Sequence, residues 1–357
     1  MASPDPRAII MAGFDYQGGG VDFGALALNR QKRLIAASPR ISVTLLNVSA
    51  GTTTVSAMTP NAQGVLVRTV TSNATHSAVT AKNYSGGLKH GARFDTDQAG
   101  RMSITDLYAA VIAVGADKTV AGSLAEVSVF SHGFFQGPIL VNSHDGNAAG
   151  AARDPNDKDA RGGKDFKPPN MTAAQLASFR AAWASTGFWW TWGCAFTSSY
   201  RQVTARLIAS PLYRTTPPGR LKDTDKITFE FTQDMADSFY SDDTVFFPQQ
   251  TTVNRAGATV MKTLKFEKTV KEIKEFFQRG VADSYNNMVA KAAQVKSRGA
   301  FIGTYADYEK GVRLPLMLIP RDVQVYGTDF SRYVNMWVQV LGFAQDPEGR
   351  GYGIYPP

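Results

Sequence analysis

The chain is 357 residues long, 43% hydrophobic and 19% charged, enough apolar material for one large core or two moderate ones, which excludes a disordered or collagen-like polymer. Its net charge of +8 is spread along the sequence with no run of five or six basic residues, so no nucleic-acid partner is expected. No apolar stretch approaches the ~18 residues of a membrane span and no segment reads as a secretory leader, so the cytoplasm is the default expectation; a single cysteine cannot form an internal disulfide, which fits a reducing compartment and equally an exported protein that needs no staples.

Taken in chain order, Arg7 to Phe14 reads as a first buried strand, closed by a loop containing Gly18, Gly19 and Gly20. A helix is expected from about Phe23 to Ala37 and a second strand from Ile41 to Val48. Thr52 to Met58 and Val65 to Val70 alternate around Pro60, Asn61 and Gly64, which predicts a hairpin decorating the sheet edge. Ser103 and Asp106 have capping-box spacing for a helix to about Val114, followed by an apolar strand running to His132. Asn170 is expected to cap a helix through Trp183, with Gly187 stopping it before a second apolar strand that ends at Cys194. A helix from Thr197 to Ser210 follows.

Strands and helices alternating in this way predict an α/β fold, a three-layer doubly wound, mostly parallel sheet with an added hairpin and a helical C-terminal portion. Residues 1–211 would form the core carrying His132 and Cys194, and residues 212–357 would complete the sheet. In that second part, the alternating Ile227, Phe229 and Phe231 and the apolar Leu314 to Ile319 read as the sheet's last two strands. Phe266, Val270, Ile273, Phe277 and Val281 recur at helical spacing, predicting one long helix over about 264–293, and a closing helix is expected from Phe330 to Leu341. Arg214, Arg220 and Lys222 sit in a Pro/Gly-containing segment with the composition of an exposed linker, where a zymogen would be cut.

Both apolar runs end in residues with chemistry. The first closes on Ser131, His132 and Gly133, the second on Gly193 and Cys194, and in open α/β sheets such carboxyl ends are where active sites form. All four histidines, His76, His90, His132 and His144, precede Cys194, which excludes the nucleophile-first orders of α/β-hydrolases and papain-like proteases if Cys194 is the nucleophile. Trp192 and Phe196 occupy the positions two either side of Cys194 where a nucleophile elbow requires glycine.

A run ending in His132-Gly133 and a second ending in Gly193-Cys194, in that order on successive strands, resembles the caspase, legumain and gingipain clan of cysteine peptidases. The resemblance implies a caspase-like sheet, a His132–Cys194 dyad, an oxyanion hole from the amides of Gly133 and Cys194, a peptide or protein substrate, and no cofactor. Read from the residues alone, a cysteine attacks only as thiolate, and His132 would supply the base. Cys194 as a buried small hydrophobe is the plainer alternative.

Two loop aspartates, Asp15 after the first strand and Asp145 beyond the His132 strand, would rim the cleft and either orient His132 or bind a basic substrate group. His144 is a rival base, and Phe134, Phe135 and Pro138 a candidate apolar wall. The stretch from Arg153 to Lys167 reads as a solvated charged loop. No metal site is expected, because Lys158 falls where the fifth ligand of a calcium loop belongs and zinc lacks its ligands. The glycines at 18–20 do not give dinucleotide-binding spacing. Three other functions compete with hydrolysis: a non-catalytic binding or structural assembly module in which Trp189, Trp190 and Trp192 are packing, a thiol-dependent acyltransferase, and a nucleotide-binding enzyme.

Overall fold

The computed structural model describes residues 4–95, 99–240, 242–248, 263–319 and 328–357; residues 1–3, part of the segment read for a leader, lie outside it. Its centre is a mixed sheet of nine strands. In chain order the elements that build it are β1 (Arg7–Ala12), β2 (Ser42–Asn47), β3 (Thr52–Pro60), β4 (Leu66–Ala74), β5 (Leu124–Phe130), β8 (Trp183–Thr191), β11 (Lys296–Gly299), β14 (Ala344–Gln345) and β15 (Gly353–Tyr355). The spatial order is β14-β15-β11-β8-β5-β1-β2-β3-β4. The five central strands, β2, β1, β5, β8 and β11, run parallel, and the edges are finished by antiparallel pairs.

Parallel strands buried on both faces need a continuous apolar run, and their pleat sends successive side chains to opposite sides. Ile10, Phe130 and Trp190 therefore join one core, and Ile9, Val129 and Trp189 the other. The first face is covered by α1 (Phe23–Ala37) and α5 (Ser198–Ala209), through Phe23, Leu26, Val203 and Leu207. The second is covered by α2 (Ile104–Ala116), α4 (Ala173–Ala181) and α9 (Tyr285–Ala293), through Leu107, Val111, Phe179 and Val289. The result is the three-layer α/β arrangement expected, with the β3–β4 hairpin on one sheet edge. Trp189, Trp190 and Trp192 are completely buried, as packing residues.

Several expectations are corrected. The strand containing Ile227, Phe229 and Phe231 is not in the central sheet: β9 (Lys226–Thr232) pairs with β10 (Thr263–Thr269) in a separate hairpin. Its inward phenylalanines pack on Phe246 and Phe247, and Phe246 in turn stacks on Phe276. The Leu314 to Ile319 run contributes only β13 (Met317–Leu318), paired with β12 (Asp307–Tyr308). The long helix over 264–293 is three elements: β10, then α8 (Val270–Ala282) behind a Thr269/Glu272 capping box, then α9 capped by Ser284. Thr172, not Asn170, caps α4, and Trp183 already belongs to β8. Gly187 lies within that strand, where a Cβ would sit 2.5 Å from the Leu124 carbonyl oxygen.

The segment from Arg153 to Lys167 is not a solvated loop either. Asp157, Lys158, Asp159 and Asp165 are all buried. Arg153 pairs with Asp165 and Asp157, and Arg161 with Asp157, so burial is tolerated because opposite charges and backbone amides meet inside the loop. Arg214, Arg220 and Lys222 are exposed. Among the described residues no helix is long and apolar enough to cross a membrane.

Candidate active site

Three neighbouring parallel strands deliver the candidate residues to one end of the sheet. β1 leads to Asp15, β5 to His132 and β8 to Cys194, and β5 lies between the other two. After β5 the chain turns into a small hairpin of β6 (His132–Phe134) and β7 (Gly137–Ile139), so His132 stands at the junction of the large and small sheets.

The two motifs meet backbone to backbone. A Cβ on Gly133 would lie 2.6 Å from the Cys194 carbonyl oxygen, and one on Gly193 would lie 2.6 Å from that of Ser131. Only glycine lets the strand exits approach this closely. A parallel bridge from Phe134 to Phe196 and a hydrogen bond from the Phe135 amide to the Phe196 carbonyl continue the contact.

His132 is held by a carboxylate and two aromatic rings. Its Nε2 lies 2.7 Å from Asp15 Oδ1, and the rings of Tyr16 and Phe23 pack edge-on against it at 4.8 and 5.0 Å. Asp15 is fixed in turn: its Oδ2 accepts from the amides of Gly20 at 2.8 Å and Val21 at 3.1 Å. Burial pushes the Asp15 carboxyl up, but the hydrogen bond and charge of His132, with those two amides, outweigh it and hold the carboxyl below its usual range. Burial also pushes the Tyr16 phenol up to about 12, so an uncharged ring faces the imidazole.

Cys194 is half-buried. Its Sγ accepts a hydrogen bond from the Ala306 amide at 3.3 Å. The loop that supplies this amide follows β11 and is tied to the Cys194 segment by the Ala195 amide on Thr304 O at 3.1 Å and the Gly303 amide on Ala195 O at 2.7 Å. Phe196 and Tyr305 stack at 4.9 Å beside it, under the guanidinium of Arg201. The sequence carries one pointer to this loop, Gly303 directly after the apolar pair Phe301-Ile302, and in the structure that glycine is left-handed (φ +82°). It was missed because β11 itself is four mostly polar residues.

Of the two aspartates, Asp15 is on His132 and Asp145 is not. Asp145 is buried and engaged by Lys164 at 2.8 Å and by the Asn147 amide at 3.0 Å, which hold its carboxyl below the usual range against the opposing effect of burial. His144 is exposed, on the wall of a cavity also lined by Phe134. Gly20 and Val21 amides are spent on Asp15, so the 18–20 loop has no ready phosphate cradle there. Among the described residues no group of three or more His, Cys, Asp or Glu side chains converges to hold a metal ion.

The fold and site together define an α/β protein with a mostly parallel sheet whose strand ends pair an aspartate with a histidine and bring the backbone of the His132-Gly133 segment against that of Gly193-Cys194. The chain matches no protein-family model, no curated protein and no solved structure.

Proposed function

We propose that the protein is a cysteine hydrolase of peptide or other amide bonds, built on a caspase-like sheet. The observation that carries this reading is the contact of His132-Gly133 with Gly193-Cys194 at the carboxyl ends of adjacent parallel strands. With Asp15 on Nε2, Nδ1 is the ring nitrogen this reading assigns to the thiol; Sγ lies 3.3 Å from the Ala306 amide, a donor that favours its anion, and 3.8 Å from the Ala306 carbonyl oxygen, which accepts from the neutral thiol.

In the proposed reaction His132 removes the Sγ proton and Sγ attacks the carbonyl carbon. The amides of Gly133 and Cys194 would face the oxyanion. The C–N bond breaks as His132 passes its proton to the leaving amine, giving a thioester. Water then attacks the thioester, its proton going through His132 back to sulfur.

Incubating the protein with a diverse peptide mixture and reading products by mass spectrometry tests this. Cleavage by the wild type that disappears in Cys194→Ala and falls about 10²- to 10⁴-fold in His132→Ala is expected. If no peptide is cut, or cutting survives Cys194→Ala, the reading fails. Transfer to an added amine instead of water would select the acyltransferase alternative.

A further inference from the structure

A cavity of about 700 Å³ lies against the β6–β7 hairpin, with Phe134 and Ile139 on its apolar side. Its polar wall carries Arg93, Arg161, Lys164 and Lys167 but only two carboxylates, Asp145 and Asp159. Those carboxylates are already engaged. Asp159 is buried and accepts the amides of Leu140 at 2.6 Å, Val141 at 2.9 Å and Ser143 at 2.6 Å. Asp145 is paired with Lys164, and Arg161 pairs with Asp157 behind the wall at 2.8 Å.

Arg93 and Lys167 have no carboxylate partner among the described residues. Among the described residues Arg93 donates to two uncharged oxygens, Asn142 Oδ1 at 3.0 Å and Ser143 O at 3.1 Å, and neither cation has a carboxylate within 4 Å. Arg93 is also positioned: Asn142, in a left-handed conformation at φ 60°, accepts from it and donates its own amide to Ala92 O at 2.6 Å. A half-apolar cavity lined by two cations that no described carboxylate offsets attracts negative charge.

We propose that this cavity is an anion-binding site, taking a carboxylate or phosphate group between Arg93 and Lys167. The group is either an acidic side chain of a bound peptide, which rests on the hydrolase reading, or a free small anion, which does not.

The test is thermal unfolding with inorganic phosphate against sodium chloride at matched ionic strength, in wild type, Arg93→Ala/Lys167→Ala, and Lys118→Ala as an exposed control. Phosphate at roughly 10 mM is expected to raise the midpoint of wild type and control but not of the double variant. Both mutated side chains are exposed, so the variant should fold, and its midpoint in chloride checks that it does. Stabilisation by phosphate no greater than by chloride, or equal in the double variant, overturns the site whether or not the protein hydrolyses anything. The two sources separate on peptides paired as Glu and Gln at each position. A KM for Glu peptides raised about 10-fold in the double variant, with Gln peptides unmoved, points to substrate; a phosphate-dependent rate on uncharged peptides points to a free anion.

Discussion

Asp15 Oδ1 sits 2.7 Å from His132 Nε2, so the candidate base is oriented by a carboxylate from the turn after β1. If the aspartate positions the imidazole, Asp15→Asn should lower kcat about 10-fold or more with little change in KM, because the wrong tautomer would then face the thiol. A purely structural role would instead lower the amount of folded protein without moving the pH profile of turnover, which is the measurement that separates the two.

The same contact predicts a pH dependence of stability. The folded carboxyl is held below its ordinary value, so it contributes stability above the unfolded value of about 4 and loses it as pH falls through that value to the folded one. The urea stability of wild type should exceed that of Asp15→Asn at neutral pH, and the gap should close below about pH 4. A gap that stays constant down to pH 3 would contradict the assignment.

The thiol itself can be read without a substrate. Alkylation of Cys194 by iodoacetamide should be rapid at pH 6–7, where an ordinary thiol, of pKa about 8.5, is almost entirely protonated. In His132→Ala the rate profile should move to higher pH. A thiol equally slow in both proteins would leave Cys194 as a packing residue.

Much of this site was legible because strands that emerge at one sheet end are long apolar runs. β5 and β8 announce themselves, and so do the Ser103/Asp106 cap and the β3–β4 hairpin. What was hidden depends on tertiary contact. The β11 loop supplying the Ala306 amide follows a strand of four mostly polar residues, Lys296–Gly299, with no periodicity of its own. In β10 the inward residues of a strand, Leu264 and Phe266, run directly into the helical spacing of Val270, Ile273 and Phe277, and the two periods merge into one apparent helix. The charges of the 153–167 loop look solvated in sequence because only the folded loop brings Arg153 and Arg161 onto Asp157 and Asp165, and further partners, among them Asp145 and Ser143, lie outside it. Asp15 and Asp145 are equivalent candidates in the sequence, and only the fold, which brings β5 beside β1, shows that Asp15 is the one on His132.

The close approach of the two motifs gives a steric prediction. At Gly133 and Gly193 the nearest neighbour of an added Cβ is backbone oxygen at 2.6 Å, which no rotamer change can relieve. Gly133→Ala and Gly193→Ala should each cost about 1–3 kcal/mol in urea unfolding and slow Cys194 alkylation. Gly163→Ala, with no atom within 4 Å of the added Cβ, should be neutral or slightly stabilising.

The strand leading to Cys194 is also anchored from below. Arg30 grips Glu126 with two hydrogen bonds of 2.7 Å, both residues nearly inaccessible, and Ser128 links Glu126 to the Trp192 indole, which donates to it at 3.0 Å. Burial alone would weaken the Arg30 charge; Glu126 and Glu348 more than offset this. Glu126→Ala leaves the guanidinium with Glu348, which is partly exposed, as its carboxylate and removes the acceptor of the Ser128 hydroxyl. That should cost about 3–5 kcal/mol. Replacing the ion pair as a whole, with Met at 30 and Leu at 126, should recover most of that loss, because an apolar pair of similar volume carries no unpaired charge. Urea unfolding of the three proteins measures both effects. The alkylation rate of Cys194 shows whether the network matters to the site: if it holds Trp192 and hence the strand exit in place, the single variant slows alkylation and the double variant, lacking the Ser128 bridge to Glu126, does not fully restore it.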